Sequence, residues 1–209
     1  MIVILDYGMG NLNSVKKALK RIEVYAEISN DAQMIEKADK LLLPGVGNFE
    51  LGMENLRKNN LIDLLNEQVL EKQKPILGIC LGMQLLTSHS EEGDAEGLNW
   101  IPGKTIEFKK DMITEGTQRK LKVPHIGWNT LKLSTNQNKL LSTLPENTSQ
   151  YFVHSYYVKC DNEENVLAST VYGHDFHSSI SKDNIYGTQF HPEKSHKMGL
   201  EILRNFSNL

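Results

Sequence analysis

Residues 75–86 read Pro75-Ile76-Leu77-Gly78-Ile79-Cys80-Leu81-Gly82-Met83-Gln84-Leu85-Leu86. An apolar run meets a cysteine with a glycine two places before it and another two places after it, and residues suited to a helix follow. A strand that turns straight into a helix needs small residues around the turn, and the side chain at the apex is pushed clear of the backbone. This is the nucleophile-elbow pattern, with Cys in the place more often held by Ser. The start of the following helix favours thiolate over thiol at Cys80. The competing reading is a buried cysteine used as a small hydrophobe, and the paired glycines weigh against it. Cys160, in Tyr156-Tyr157-Val158-Lys159-Cys160, lacks such flanks and reads as structural.

A thiolate nucleophile needs a base that later returns a proton to the leaving amine, and a third group to orient that base. Among seven histidines, only His191 has a carboxylate at strand spacing just beyond an apolar run, in Gln189-Phe190-His191-Pro192-Glu193. Residues two apart on an extended segment face the same way, so Glu193 can accept from one ring nitrogen while the other faces Cys80. A chance His-Pro-Glu turn is the alternative for that segment alone; together with the elbow, the catalytic reading is favoured. Acyl transfer also needs donors for the developing oxyanion. The N–H of Leu81 is one. Pro44-Gly45-Val46-Gly47, where a strand ends in a glycine-rich loop, can supply a second through bare amides, although an ordinary strand-ending turn reads the same way.

The elements around these groups alternate. Ile2–Leu5 reads as a buried strand, followed by a helix capped at Asn13 or Ser14 and running to about Ile22. Val24–Ile28 and Leu41–Leu43 read as strands, the latter stopped at Pro44. Phe49–Arg57 and Leu61–Lys72 read as helices, and Pro75–Ile79 as a further strand. This alternation predicts a mainly parallel α/β sheet covered on both faces, with its chemistry beyond the carboxyl ends of the strands. Thr105–Phe108, Tyr151–Cys160, Val166–Val171 and Ile185–Phe190 read as added antiparallel strands, and Met198–Phe206 as a closing helix. Residues 111–122 are polar and read as a mobile loop. One domain over residues 1–209 is expected.

Charge is nearly balanced, 23 basic against 26 acidic residues for a net −3, and no basic patch invites nucleic acid. No apolar run approaches the roughly 20 residues of a membrane span. The start of the chain has no signal-peptide pattern, and two cysteines make neither a disulfide framework nor a Cys-x-x-Cys metal motif. A cytoplasmic protein with reduced thiols, and no metal or cofactor, is expected. Gly8-Met9-Gly10-Asn11 looks like part of a dinucleotide turn, but Asn13 stands where the third glycine belongs. His174, His177, His89 and His196 read as solvated surface.

These motifs resemble those of the class I, or triad, glutamine amidotransferases, whose two hallmarks look like Gly78-Ile79-Cys80-Leu81-Gly82-Met83-Gln84 and Gln189-Phe190-His191-Pro192-Glu193. Six segments in register narrow the likeness to the glutaminase subunits of imidazole glycerol phosphate synthase. Among them are Asp6-Tyr7-Gly8-Met9-Gly10-Asn11, Leu43 to Phe49, Pro124 to Asn129 and Phe152 to Tyr156. The resemblance implies the class I amidotransferase fold and glutamine hydrolysis by Cys80, His191 and Glu193. It also implies glutamine binding by Gly47, Gln84, Glu92 and the His154-Ser155-Tyr156 segment. Glu91 is a rival for Glu92 in pairing with the substrate ammonium. The oxyanion loop of this family is thought to need a peptide flip near Val46, which its flanking glycines would ease.

With nothing beyond the glutaminase in the sequence, the acceptor chemistry is expected on another polypeptide. The resemblance implies a (β/α)8-barrel cyclase, joined as a heterodimer and fed with ammonia for histidine biosynthesis. Its docking face would include Met9, Asn11, Trp128, Tyr151 and Lys194, although Trp128 reads equally as core. The alternative is a paralogous subunit that supplies ammonia to a sugar amidotransferase in surface-polysaccharide synthesis. A stand-alone cysteine peptidase or γ-glutamyl hydrolase, and an inactive regulatory subunit, fit the motifs less well.

Overall fold

The runs Ile2–Leu5 and Ile76–Cys80 are buried along their whole length, which requires cover on both faces. A computed structural model, describing residues 1–109, 120–135 and 138–209, shows how that cover is made. First come β1 (Ile2–Leu5), α1 (Leu12–Arg21), β2 (Ala26–Ser29), α2 (Ala32–Lys37), β3 (Lys40–Gly45), α3 (Phe49–Lys58), α4 (Leu61–Asn66), β4 (Ile76–Cys80) and α5 (Leu81–Leu85). The short strands β5 (His89–Ser90) and β6 (Ala95–Glu96) follow, then β7 (Gly103–Glu107), β8 (His125–Thr130), β9 (Lys132–Leu133) and β10 (Ser149–His154). The chain closes with β11 (Tyr156–Cys160), β12 (Val166–Tyr172), β13 (His174–Lys182), β14 (Ile185–Thr188) and α6 (His196–Ser207).

Strands β2, β1, β3, β4 and β14 lie side by side and pair in parallel. The sheet continues antiparallel through β13, β11 and β7, with β12 beside β13. Strands β8 and β10 form a separate antiparallel pair. The α/β architecture with added antiparallel strands is therefore the expected one, except that Ile185–Thr188, expected among the antiparallel additions, joins the parallel strands beside β4 and is antiparallel only to β13. Its consequence for chemistry lies in β14, which returns from late in the chain to run parallel to β4, Thr188 opposite Ile79. On the other flank β3 sets Gly45 opposite Cys80. The carboxyl ends of three neighbouring strands thus meet at one edge, where ligands bind in open α/β sheets.

Alternate strand residues serve opposite faces. Val3, Leu5, Leu41 and Leu43 pack with Met53 and Leu56 of α3 and Leu61 and Leu65 of α4. Ile2, Ile4, Leu42, Leu77 and Ile79 pack with Val15 and Leu19 of α1 and with Ile202, Leu203 and Phe206 of α6. Each such side chain removed from water contributes about 2 kcal/mol, so the strands that carry the site are held from both sides.

Several boundaries differ from expectation for local reasons. The cap of α1 is Asn11, whose side chain accepts from the Ser14 N–H, so the helix starts before Asn13. Strand β3 does not stop at Pro44 but runs to Gly45, since β4 offers it a partner as far as Cys80. The helix expected over Leu61–Lys72 changes at Glu67 into a π-helical turn to Glu71. Tyr151–Cys160 is not one strand: it breaks at Ser155 into β10 and β11, which belong to different sheets. Helix α2 and strands β8 and β13 were not expected; β13 is a strand rich in Ser and His, so its sequence reads as polar turn although Phe176, Ser178, Ser179 and Ile180 are buried. The polar loop expected over 111–122 lies, up to residue 119, outside the described residues.

Candidate active site

Cys80 ends β4 and caps α5 with φ +56° and ψ −111°. A left-handed φ at a non-glycine residue stores on the order of 1–3 kcal/mol, which the surroundings must hold. They leave no slack. A Cβ on Gly82 would lie 1.6 Å from the Leu43 carbonyl oxygen, and one on Gly78 would lie 2.6 Å from the Gly82 oxygen. Both glycines are there because α5 leaves the elbow directly against β3 and β4. The Cys80 thiol is nearly buried, with Sγ 3.9 Å from the Val153 carbonyl and 3.7 Å from Nε2 of Gln189, which donates to it.

His191 follows the end of β14, its N–H bonded to the Tyr151 carbonyl at 2.9 Å. Its ring Nδ1–H donates to Oε1 of Glu193 at 2.8 Å, with both side chains only 3% exposed. The pairing is as expected but its geometry is not. Pro192 opens a 3-10 turn, so Glu193 reaches back through that turn rather than along an extended strand. Ser195 locks the turn by donating to the His191 carbonyl at 2.7 Å. The other ring nitrogen, Nε2, is buried without a well-aligned hydrogen bond and is the atom left to serve Cys80. Burial opposes charge on His191, but polar contact with Cys80, the bond to Glu193 and the negative charge of both outweigh it and hold its pKa up at about 9. A protonated imidazole beside the sulfur results.

A cavity of about 240 Å³ opens over the sulfur. Its lining includes Val46, Gly47, Leu81, Gln84, Glu92, His154, Ser155 and Tyr156, so every expected oxyanion and substrate residue reaches one pocket with Cys80. The Leu81 N–H, at the first position of α5, belongs to the set that a helix leaves without an internal acceptor. Gly47, at φ +127°, carries the loop past Met9, whose Cε a Cβ there would meet at 2.9 Å. Glu92 accepts from the Phe49 N–H at 2.7 Å, and burial, the largest influence, raises its pKa against that bond. Glu91 instead accepts from the Glu107 N–H and does not line the cavity, so position favours Glu92 of the two.

Two of these pocket residues already have partners within the protein. The His154 ring is not free for substrate: it is buried and hydrogen-bonded on both nitrogens, to the Tyr156 carbonyl at 2.7 Å and to His125 at 3.0 Å. The amide nitrogen of Gln84 is likewise committed, donating to the Tyr156 carbonyl and to Oε1 of Gln189. Sequence reasoning assigned no role to Gln189, His125 or Tyr7. The position of Gln189 two residues before His191 was the available signal. Tyr7 is fully buried, its hydroxyl has no hydrogen-bond partner, and a Cβ on Gly45 would lie 2.4 Å from it. Burial, then the charge of Cys80, pushes its pKa up.

The expected docking residues divide. Trp128 is half exposed, packs edge-on to Tyr151 at 6.0 Å and stacks on His196 at 4.9 Å, while Lys194 lies 6.0 Å over the Tyr151 ring. Ile126, 59% exposed, extends this patch along β8. Asn11 is exposed but caps α1. Met9 is buried and is not a surface anchor. His174 and His177 are not solvated surface either: His174 packs against Phe108 and Tyr157, and His177 accepts from the Cys160 N–H at 3.0 Å. His89, half-buried, contacts Asp94 and Glu96. Among the described residues no helix is long and apolar enough to cross a membrane.

A strained cysteine elbow, a His–Glu pair delivered by the neighbouring parallel strand and a small polar pocket form an arrangement suited to cysteine-based acyl transfer on an α/β sheet. The sequence matches the family "Glutamine amidotransferase class-I" over residues 3–208, and this chain belongs to that family. It is 52% identical over 206 residues to "Imidazole glycerol phosphate synthase subunit HisH 2" of Methanococcus maripaludis, covering 99% of this chain and 98% of that protein. It is 44% identical to the HisH 2 subunit of Pseudomonas aeruginosa and 48% to the HisH 1 subunit of Campylobacter jejuni, over the full length of each. Among solved structures, one described as a glutamine amidotransferase superposes with a TM-score of 0.74 at 17% identity, covering 100% of this chain and 98% of that one. PurLQS from Thermotoga maritima superposes with a TM-score of 0.74 at 15% identity, covering 99% of this chain and 97% of that one.

Proposed function

We propose that this chain is the glutaminase subunit of imidazole glycerol phosphate synthase, hydrolysing glutamine and passing ammonia to a separate cyclase subunit. The observation that carries the reading is the buried Cys80–His191–Glu193 arrangement in a chain about half identical, end to end, to a HisH subunit. Glutamine enters the cavity with its α-ammonium toward Glu92 and its carboxamide over Cys80. The Cys80 thiolate forms a bond to the carboxamide carbon, and the carbonyl pair moves to oxygen, which Leu81 N–H and an amide of the Val46–Gly47 loop receive. Collapse restores the carbonyl and breaks the C–N bond, and the nitrogen takes the Nε2 proton of His191 and leaves as ammonia. Neutral His191 then takes a proton from water, whose oxygen attacks the thioester. The C–S bond breaks, and glutamate and the thiolate–imidazolium pair are regenerated. Glu193 holds the ring by Nδ1 throughout.

The cyclase is taken to be a (β/α)8 barrel docked as a heterodimer on the Ile126, Trp128, Tyr151 and Lys194 patch, because exposed aromatic side chains and a cation are what an interface anchors on. Two cysteines left unpaired suit a reducing compartment, which supports the cytoplasm. The test is a glutaminase assay with and without the cyclase and its nucleotide substrate. Stimulation by that partner is expected; stimulation only by a sugar amidotransferase would move the chain to the paralogous role. With the partner, Cys80→Ala should still make product from ammonium salts and none from glutamine.

A further inference from the structure

Strand β8 shows different residues on its two faces. Ile126 and Trp128 point outward, while His125 is buried and Asn129, four residues on, shares its side of the strand. Oδ1 of Asn129 accepts from the Thr130 N–H at 2.8 Å and its Nδ2 donates to the Val171 carbonyl at 2.9 Å, which fixes the amide's orientation. Nδ2 also faces Nε2 of His125 at 3.3 Å, so that ring nitrogen accepts and the ring hydrogen of His125 sits on Nδ1. It is donated to Nε2 of His154 at 3.0 Å, which leaves the hydrogen of His154 on Nδ1, donated to the Tyr156 carbonyl at 2.7 Å.

The string has one possible direction, because a donor amide stands at one end and a carbonyl that can only accept stands at the other. It requires both rings neutral, and burial pushes His125 down to about 4 and His154 down to about 3. The carbonyl where it ends also receives the amide of Gln84, which donates onward to Gln189, and Gln189 donates to the Cys80 sulfur. His125 is itself fixed, stacked between Tyr172 at 3.9 Å and Phe152 at 4.9 Å.

We propose that His125 and Asn129 are positioning residues for glutamine hydrolysis: their one-way hydrogen-bond string holds the chain break at Ser155, and hence the pocket wall, in the substrate-accepting geometry and ties that wall to the docking strand. The inference rests on the functional reading above. A partner seated on Ile126 and Trp128 would bear on the same strand whose inner face holds the string.

Two variants and one spectrum test it. His125→Phe keeps a ring between Tyr172 and Phe152 but leaves His154 Nε2 without its donor. Asn129→Asp replaces the donor by an acceptor of the same size and reverses the direction. Each should lower kcat/KM for glutamine about tenfold or more, as expected when a buried acceptor loses its partner. The rate of Cys80 alkylation by iodoacetamide should stay unchanged, since the string shapes the pocket rather than the thiol. Because the residues act as one unit, the double variant should lose no more than the worse single variant. Nitrogen-15 spectra of histidine-labelled wild-type protein at neutral pH should show His125 and His154 both as Nδ1–H tautomers. An Nε2–H tautomer at either residue, wild-type kcat/KM in the folded variants, or multiplying losses in the double variant would overturn the proposal. Should Asn129→Asp fail to fold, His125→Phe and the spectrum decide. Active wild-type enzyme with indifferent variants refutes this inference alone; wild-type protein that hydrolyses no glutamine with its partner refutes the functional reading.

Discussion

Replacing Glu193 by Gln removes one negative charge from a pair whose side chains are 3% exposed, while leaving an atom to meet Nδ1 of His191. The rise of His191 from 6.5 to about 9 corresponds to about 3 kcal/mol favouring the charged ring. Cys80 and Glu193 supply it together against burial. With the Glu193 charge gone, the imidazolium loses one of its two supports, and turnover should fall about tenfold with KM for glutamine little changed. The pH dependence gives an independent check. A raised pKa means that the stability contributed by His191 is fully present below about 6.5 and is lost as pH climbs through about 9. In Glu193→Gln the folded-state pKa falls, so that loss should be smaller and complete at lower pH, and the fall of imidazolium-dependent activity should move to lower pH. The assay is steady-state glutamate release from pH 6 to about 10 on both proteins, with thermal melts over the same range. Wild-type turnover and an unshifted alkaline limb in Glu193→Gln would show that the Glu193 charge does not support the His191 imidazolium.

Gly82→Ala should abolish folding or lower stability by more than about 3 kcal/mol in urea melts, because its Cβ would fall 1.6 Å from the Leu43 oxygen; a near-wild-type melt would contradict the elbow geometry. Tyr7→Phe should keep or raise stability, by up to about 1 kcal/mol, since it deletes a buried hydroxyl that has no partner; a clear drop in Tm would mean the hydroxyl is bonded after all. Glu92→Gln should raise KM for glutamine about tenfold with kcat largely kept. Because burial has already raised the Glu92 pKa, arrival of the substrate ammonium should lower it, and calorimetry in buffers of different ionisation enthalpy should show proton release on binding; uptake would exclude Glu92 as the partner.

The proposed nucleophile and its base were legible as candidates because they sit in short local motifs whose chemistry suits those residue types. Cys80 was read from its flanking glycines, and His191 and Glu193 from a strand spacing that brought out the right pair although a 3-10 turn, not an extended strand, joins them. What the sequence did not disclose was long-range. That β14 returns beside β4 is a matter of topology, and it is what brings His191 to Cys80. The break at Ser155 was invisible because a run of Tyr, Val and Phe reads as one strand whether or not it changes sheet. Similarly, His154 looked available to substrate because its partner His125 lies 29 residues away in sequence. Trp128 could not be assigned to core or surface from its type; the register of β8 with β10 puts it opposite Tyr151 on the outer face.

Covalent catalysis by Cys80 is tested most directly by mass spectrometry of the protein after reaction with a glutamine-like diazo-ketone. The chain holds two free cysteines, both buried, which makes the choice between them informative. Cys80 faces the cavity beside a protonated His191, whereas burial, with Asp161 and Glu163 nearby, pushes the Cys160 thiol up to about 12. One adduct is expected, on the peptide that contains Cys80, formed in step with loss of glutaminase activity and blocked by excess glutamine. An adduct on Cys160 alone, or full glutaminase activity in Cys80→Ala, would contradict covalent catalysis by Cys80.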